Sequence, residues 1–245
     1  MATTAVDQTG WGTSAVQSAR RLAVITAAGA LLGLLVGGVG GRLAMMLLAR
    51  LNPEATGVIS DDGFRMGQFT LRDTLSLLLV AVAFGVAGAG VYAVVRGLLL
   101  GPRWFQVASV AAGPAVVVGA AIVHTEGVDF QLLEPAWLAI GLFVAIPAAY
   151  AALLTVVAER LLREGAWASR APLWVVGVPL LLWIPLFPFL FGLVLLWILR
   201  ETLRQSAFGA NALAHPALPW VGRLGLSALF VQSLLDLGMD ATELI

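Results

Sequence analysis

Two groups of side chains in this sequence are suited to holding a cation. One is the adjacent pair Asp61 and Asp62; the other is His124, Glu126 and Asp129. Imidazole together with carboxylates suits a divalent metal such as zinc or manganese, and such a centre would support metal-assisted hydrolysis. The spacing matches no metal motif: there is no His-Glu-x-x-His, and His215 lies in another region. Adjacent Asp residues beside Gly63 also make an ordinary solvated turn. Arg42 and Arg65 offer the opposite chemistry. An Arg at the end of an apolar segment either snorkels to lipid phosphates or meets an anion or a carboxylate partner. With Asp61 and Asp62 nearby in sequence, these two Arg outline a candidate site for a small anionic solute or a lipid headgroup.

The segments that would position these groups are apolar. Hydrophobic residues make up 60% of the 245-residue chain and charged residues only 11%, against roughly 25% charged in soluble domains. Uncharged apolar stretches run over 22–41, 74–95, 104–123, 135–158 and 171–199. Each reaches the roughly 20 residues that cross a hydrocarbon core. The expected fold is therefore an all-α, polytopic transmembrane helix bundle. Its spans are expected over about 22–48, 73–99, 104–123, 135–159 and 172–199, with an outer loop over 51–72. A disordered tail is expected over 1–18, and an interfacial amphipathic helix over about 219–237 within a C-terminal segment 201–245. Arg20-Arg21 followed by apolar residues resembles the start of a signal peptide, but the apolar part is too long and is expected to be retained.

Gly29, Gly33, Gly37 and Gly41 recur at every fourth position, which puts them on one helix face. In lipid such a face lets a second helix approach closely. Ala81, Gly85 and Ala89 repeat the pattern in the second segment, Ala111, Ala115 and Gly119 in the third, and Gly141, Ala145 and Ala149 in the fourth. The four faces are expected to meet. Gly37-Gly-Val-Gly-Gly-Arg42 superficially suggests a phosphate loop, but its glycines end a membrane helix and do not join a strand to a helix.

Several function classes are excluded by what is missing. The chain contains no Lys, so a Schiff-base Lys and a Walker-type phosphate loop are both ruled out. It contains no Cys, so there is no thiolate nucleophile and no Cys-ligated metal. No acid lies deep in an uncharged span, which disfavours a proton relay. No cofactor and no nucleic-acid partner is expected.

Arg positions give the expected orientation. With the N-terminus cytoplasmic, Arg20, Arg21, Arg96, Arg103, Arg160, Arg163 and Arg170 are inside, and the Arg-free loop 124–134 is outside. Segment 172–199, with Pro172, Pro179, Pro185 and Pro188, reads either as one kinked crossing or as a re-entrant hairpin turning at 185–188. A crossing would divide the Arg evenly between the two sides.

The stretch 37–71, with Gly-Gly-Arg-Leu-Ala-Met, Asp-Asp-Gly-Phe and Gly-Gln-Phe-Thr-Leu, resembles uncharacterised multi-pass membrane proteins of GC-rich bacteria. Residues 124–130 and Glu134-Pro-Ala-Trp137 share that character. The resemblance implies a bacterial plasma-membrane protein and carries no activity. Three readings stay open: binding or transport of an anionic solute or lipid at an outer-face site, a structural or accessory subunit in a homo-oligomer or beside a partner, and an outer-face metal-assisted hydrolase.

Overall fold

A computed structural model describes residues 10–59, 63, 65, 67–68, 70–125, 130, 132–166 and 172–244. Helix accounts for 85% of it, and the described residues form no strand. Among the described residues, five helices are long and apolar enough to cross a membrane: Trp11–Leu51, Leu71–Leu98, Arg103–Ile122, Ala136–Leu161 and Ala217–Leu244. The chain is an all-α, multi-pass membrane protein.

The first long helix is three pieces in one line. Helix α1 (Trp11–Leu32) passes into a π-helical segment, Gly33–Gly40, and then into α2 (Gly41–Leu51). Four glycines among eight residues let the backbone widen to i→i+5 bonding there. The helix begins at Trp11, within the stretch expected to be a polar tail. Its first turns are tied down: Trp11 Nε1 donates to Gln205 Oε1 (2.6 Å), and Ser14 Oγ donates to Glu201 Oε2 (3.1 Å).

Helix α3 (Leu71–Val95) starts at Thr70, whose hydroxyl accepts from the Asp73 N–H at 3.1 Å and so satisfies a free donor of the first turn. Ahead of it, the β-type pairing among the described residues is one isolated antiparallel bridge between Ile59 and Arg65. Helices α4 (Arg103–Ile122) and α5 (Ala136–Leu161) pack antiparallel and contain Pro114 and Pro147.

Beyond α5 the structure departs from a simple crossing. A short helix α6 (Leu173–Gly177) continues as a 3-10 stretch, Val178–Trp183, and the chain then bends by 120° into α7 (Phe187–Gln205). Pro185 in the bend and Pro188 just after it supply the break, and Pro179 interrupts the stretch before it, because each removes a backbone donor. Helix α8 (Ala207–Ala214) is a short elbow. Helix α9 (Ala217–Leu244) is longer than the interfacial helix expected over 219–237, and it lies along α4.

Two large apolar cores and a smaller cluster of Ala23, Val24 and Val176 stabilise the bundle. One large core joins Ile25, Ala28 and Leu32 to Ala89, Tyr92, Leu154 and Ala158. The other, at the opposite end, gathers Leu48, Ala55, Val123, Phe130, Leu133, Ala139 and Ile140. The remaining surface is rich in exposed Leu, Val, Phe and Trp, as a lipid-facing surface is.

Candidate functional site

Close helix approach concentrates at the crossing of α1 with α3. A methyl group built on Gly29 would lie 2.5 Å from the Gly85 carbonyl oxygen and 2.6 Å from Ala89 Cβ. One on Gly33 would lie 2.5 Å from the Ala81 carbonyl oxygen. Only glycine lets the two backbones meet this way. Tyr150, from α5, caps the crossing by donating its hydroxyl to the Gly85 carbonyl at 2.6 Å. Further along, a Gly37 methyl would sit at an ordinary 3.4 Å from Ala81, and one on Gly41 would meet nothing within 4 Å. Gly119 faces Val144 at 3.0 Å and Leu237 at 3.3 Å by the same measure.

The π segment explains where the ladder ends. Widening to i→i+5 slips the face by one residue, so Gly38 follows Gly33 on the inner side; a Gly38 methyl would lie 2.6 Å from Leu78. Four residues on, the slipped face reaches Arg42 where an unbroken ladder would reach Gly41. Arg42 is buried at 9% exposure, and its Nη2 donates to the Gln68 carbonyl at 2.8 Å. The guanidinium thus anchors the segment that follows the first helix.

A second tie at this end comes from Asn52, at the stop of the first long helix before Pro53. Asn52 is 1% exposed. Its Nδ2 donates to the Leu48 carbonyl and the Glu134 carbonyl, both at 2.9 Å, while its Oδ1 accepts from the Glu134 N–H at 2.8 Å. Asn52 joins the two loops at this end. The Asn-Pro pair marks a helix stop but says nothing about a partner 82 residues away.

The other predicted residues are less gathered. Arg65 and His124 are exposed. Asp61, Asp62, Glu126 and Asp129 lie outside the described residues. Among the described residues, no three His, Asp or Glu side chains group closely enough to hold a metal.

At the opposite end of the bundle, Glu159 Oε1 accepts from Tyr92 Oη (3.0 Å) and Arg96 Nε (3.1 Å), and pairs with Arg96 Nη2 at 2.8 Å. Their sequence positions, at the ends of the second and fourth apolar segments, were the only signal of this cluster. Glu201 is also buried there, at 4% exposure, against Ser14 and Arg204. An apolar groove of about 490 Å³, lined by Phe208, Ala212, His215, Leu218 and Val221, lies beside the α8 elbow.

The charged groups therefore sit at the two ends and act as ties between elements. A different feature faces outward from the middle. Trp137, Gly141, Ala145, Ala149 and Leu153 follow at every fourth residue of α5, and all five are exposed. The sequence suggests that this small-residue face meets the others; among the described residues it is left exposed. No family model matches this chain, and neither a curated protein nor a solved structure is similar to it.

Proposed function

We propose that this is a multi-pass protein of a bacterial plasma membrane, with its N-terminus cytoplasmic, that works by helix association as a structural or accessory subunit. The observation carrying this reading is the exposed face Trp137, Gly141, Ala145, Ala149 and Leu153 on α5. Lipid tails gain little from a face without side chains, whereas a second helix gains close van der Waals contact there. Large apolar residues occupy much of the rest of the exterior, so this strip is a depression among ridges. The occupant is a helix of a second copy or of a partner subunit. The cytoplasmic N-terminus is supported by the Arg at 20, 21, 96, 103, 160 and 163 near one end of the first four long helices.

The test is native mass spectrometry of protein released directly from membranes in lipid discs. An oligomer or a stoichiometric partner is expected for the wild type, and a single chain for Gly141→Leu with Ala145→Leu. A wild type that emerges as one chain with no protein partner overturns the reading.

Burial of the Arg42 guanidinium favours one second reading, in which an anionic solute or lipid headgroup binds beside it. Its test is a stoichiometric anion or lipid in the same spectra that disappears in Arg42→Ala. Retention of that ligand in the variant, or its absence from the wild type, refutes it.

A further inference from the structure

We infer that residues 172–205 form a re-entrant hairpin embedded in the membrane leaflet at the N-terminal end of the first helix. It follows that α9, not this segment, makes the fifth crossing and carries the C-terminus to the opposite side. Three sets of contacts place the hairpin. On the way in, Val176 packs against Ala23 and Val24. At the turn, Trp183 bonds to Thr26 at 2.9 Å, and a methyl on Gly90 would meet Trp183 at 2.6 Å and Leu193 at 3.0 Å. On the way out, Glu201 reaches Ser14, Gln205 reaches Trp11, and Trp197 packs edge-on against Trp11 with ring centroids 5.9 Å apart.

Both ends of the segment therefore lie beside the N-terminal half of the first helix, the way in at Ala23 and Val24 and the way out at Trp11 and Ser14. Its tip reaches Thr26, which at 1.5 Å per residue is about 24 Å short of Arg42 at the far end. A segment that enters and leaves on one side, with its tip short of the middle of a spanning helix, does not cross.

Helix α9 has its two ends at opposite ends of the bundle. Arg223 Nε donates to the Leu98 carbonyl at 2.9 Å, beside Arg96 and Arg103. Leu237 lies against Gly119, and Ala241 and Leu244 pack on the core of Leu48, Val123 and Phe130 at the far end. From Arg223 to Leu244 the helix covers about 32 Å, the thickness of a hydrocarbon core.

Charge agrees with this path. Counted by segment, ten of the 14 Arg and only four of the 14 acidic residues fall on the N-terminal side. The other side holds four Arg and ten acidic residues. Were 172–199 a crossing, with the rest of the chain beyond it, the Arg would divide seven and seven. Orientation in a membrane follows a cationic bias, which the hairpin path supplies and the crossing path removes. The hairpin's partner is then the lipid of that leaflet. Phe187, Phe189, Phe191, Leu195 and Leu199 of α7 are exposed to its acyl chains, with Arg200 and Arg204 following at headgroup level.

The absence of Cys makes the test direct. Single variants Glu54→Cys, Glu164→Cys, Asn211→Cys and Thr242→Cys, all at exposed positions, are treated with a membrane-impermeant maleimide in sealed vesicles and again after permeabilisation. Full-length protein in the membrane fraction reports folding. Glu164→Cys and Asn211→Cys are expected to label from one side, and Glu54→Cys and Thr242→Cys from the other. Labelling of Asn211→Cys from the Glu54 side overturns the hairpin. Labelling of Thr242→Cys from the Glu164 side overturns the crossing by α9. The absolute side of Glu54 tests the cytoplasmic N-terminus separately.

Discussion

Trp183 donates its indole N–H to the Thr26 hydroxyl at 2.9 Å, and both residues are fully buried although 157 positions separate them. The hairpin tip is held on the first helix by this polar bond and by apolar packing around Gly90. An indole N–H in a dry environment needs an acceptor, so the bond fixes where the tip rests.

Thr26→Val preserves the side-chain shape and removes the acceptor. The expected loss is about 1–3 kcal/mol, the cost of leaving a buried donor unsatisfied. Thr26→Ser, which keeps a hydroxyl, should recover most of it. Thermal unfolding in detergent, followed by tryptophan fluorescence, measures both variants. Equal midpoints for Thr26→Val and the wild type would show that the bond adds nothing.

The glycine ladder shows how far the sequence could be read. The four-residue step from Gly29 to Gly33 coincides with close approach to α3, because the helix is ordinary α as far as Leu32. The same spacing misplaces Gly41, because the i→i+5 turns between Gly33 and Gly40 leave no mark in a pattern of apolar letters. The same slip buries Arg42, which the sequence places only at a boundary. Ties such as Asn52 with Glu134 and Glu159 with Arg96 depend on which helix ends become neighbours, and composition is silent on that. Helix α9 looks amphipathic over 219–237 because Arg223, Ser227 and Asp236 sit off the face of Leu224, Ala228, Val231 and Leu235. The structure places Arg223 at one end of the bundle, and Asp236 lies toward the opposite end of the helix.

Two alanine substitutions within one stripe pattern should therefore behave differently. Gly33→Ala pushes a methyl to 2.5 Å from the Ala81 carbonyl oxygen, and backbone cannot yield as a flexible side chain would. A loss of about 1–3 kcal/mol is expected from overpacking. Gly41→Ala meets open space and gains helix propensity, so its effect should lie between zero and about 1 kcal/mol of stabilisation. Melting temperatures of the two variants, compared in one detergent, decide it. Equal losses would mean that the slip in the π segment is absent.

Glu159 is shared by Tyr92 and Arg96 through one oxygen, so removing its partners should not be additive. The side chains of the ion pair are 29% and 31% exposed, and solvent screening holds its contribution to about 1 kcal/mol or less. Tyr92→Phe and Arg96→Gln should each destabilise modestly, and the double variant should differ from the sum of the two. High salt should shrink the Arg96→Gln effect and leave that of Tyr92→Phe largely intact. A double-mutant cycle in low and high salt measures this, and strict additivity at both would separate the two contacts.

Asn52 is the most consequential single side chain at its end of the bundle, because three hydrogen bonds converge on it in a buried position. Each such bond contributes about 0.5–1.5 kcal/mol net, and truncation also strands the Glu134 N–H. Asn52→Ala should therefore cost about 2–3 kcal/mol. Asn52→Asp tests the geometry more sharply. The carboxylate can still accept from the Glu134 N–H, but it places negative oxygen against the Leu48 and Glu134 carbonyls, so it should be at least as damaging as alanine. Loosening should begin in the two joined loops before the bundle melts, since the α1–α3 crossing does not depend on them. Limited proteolysis of both variants, read by the position of the first cuts, should show cleavage near 52–59 and 123–135 at temperatures where the helices resist. First cuts in the α6–α7 bend would place the weak point elsewhere and deny Asn52 this role.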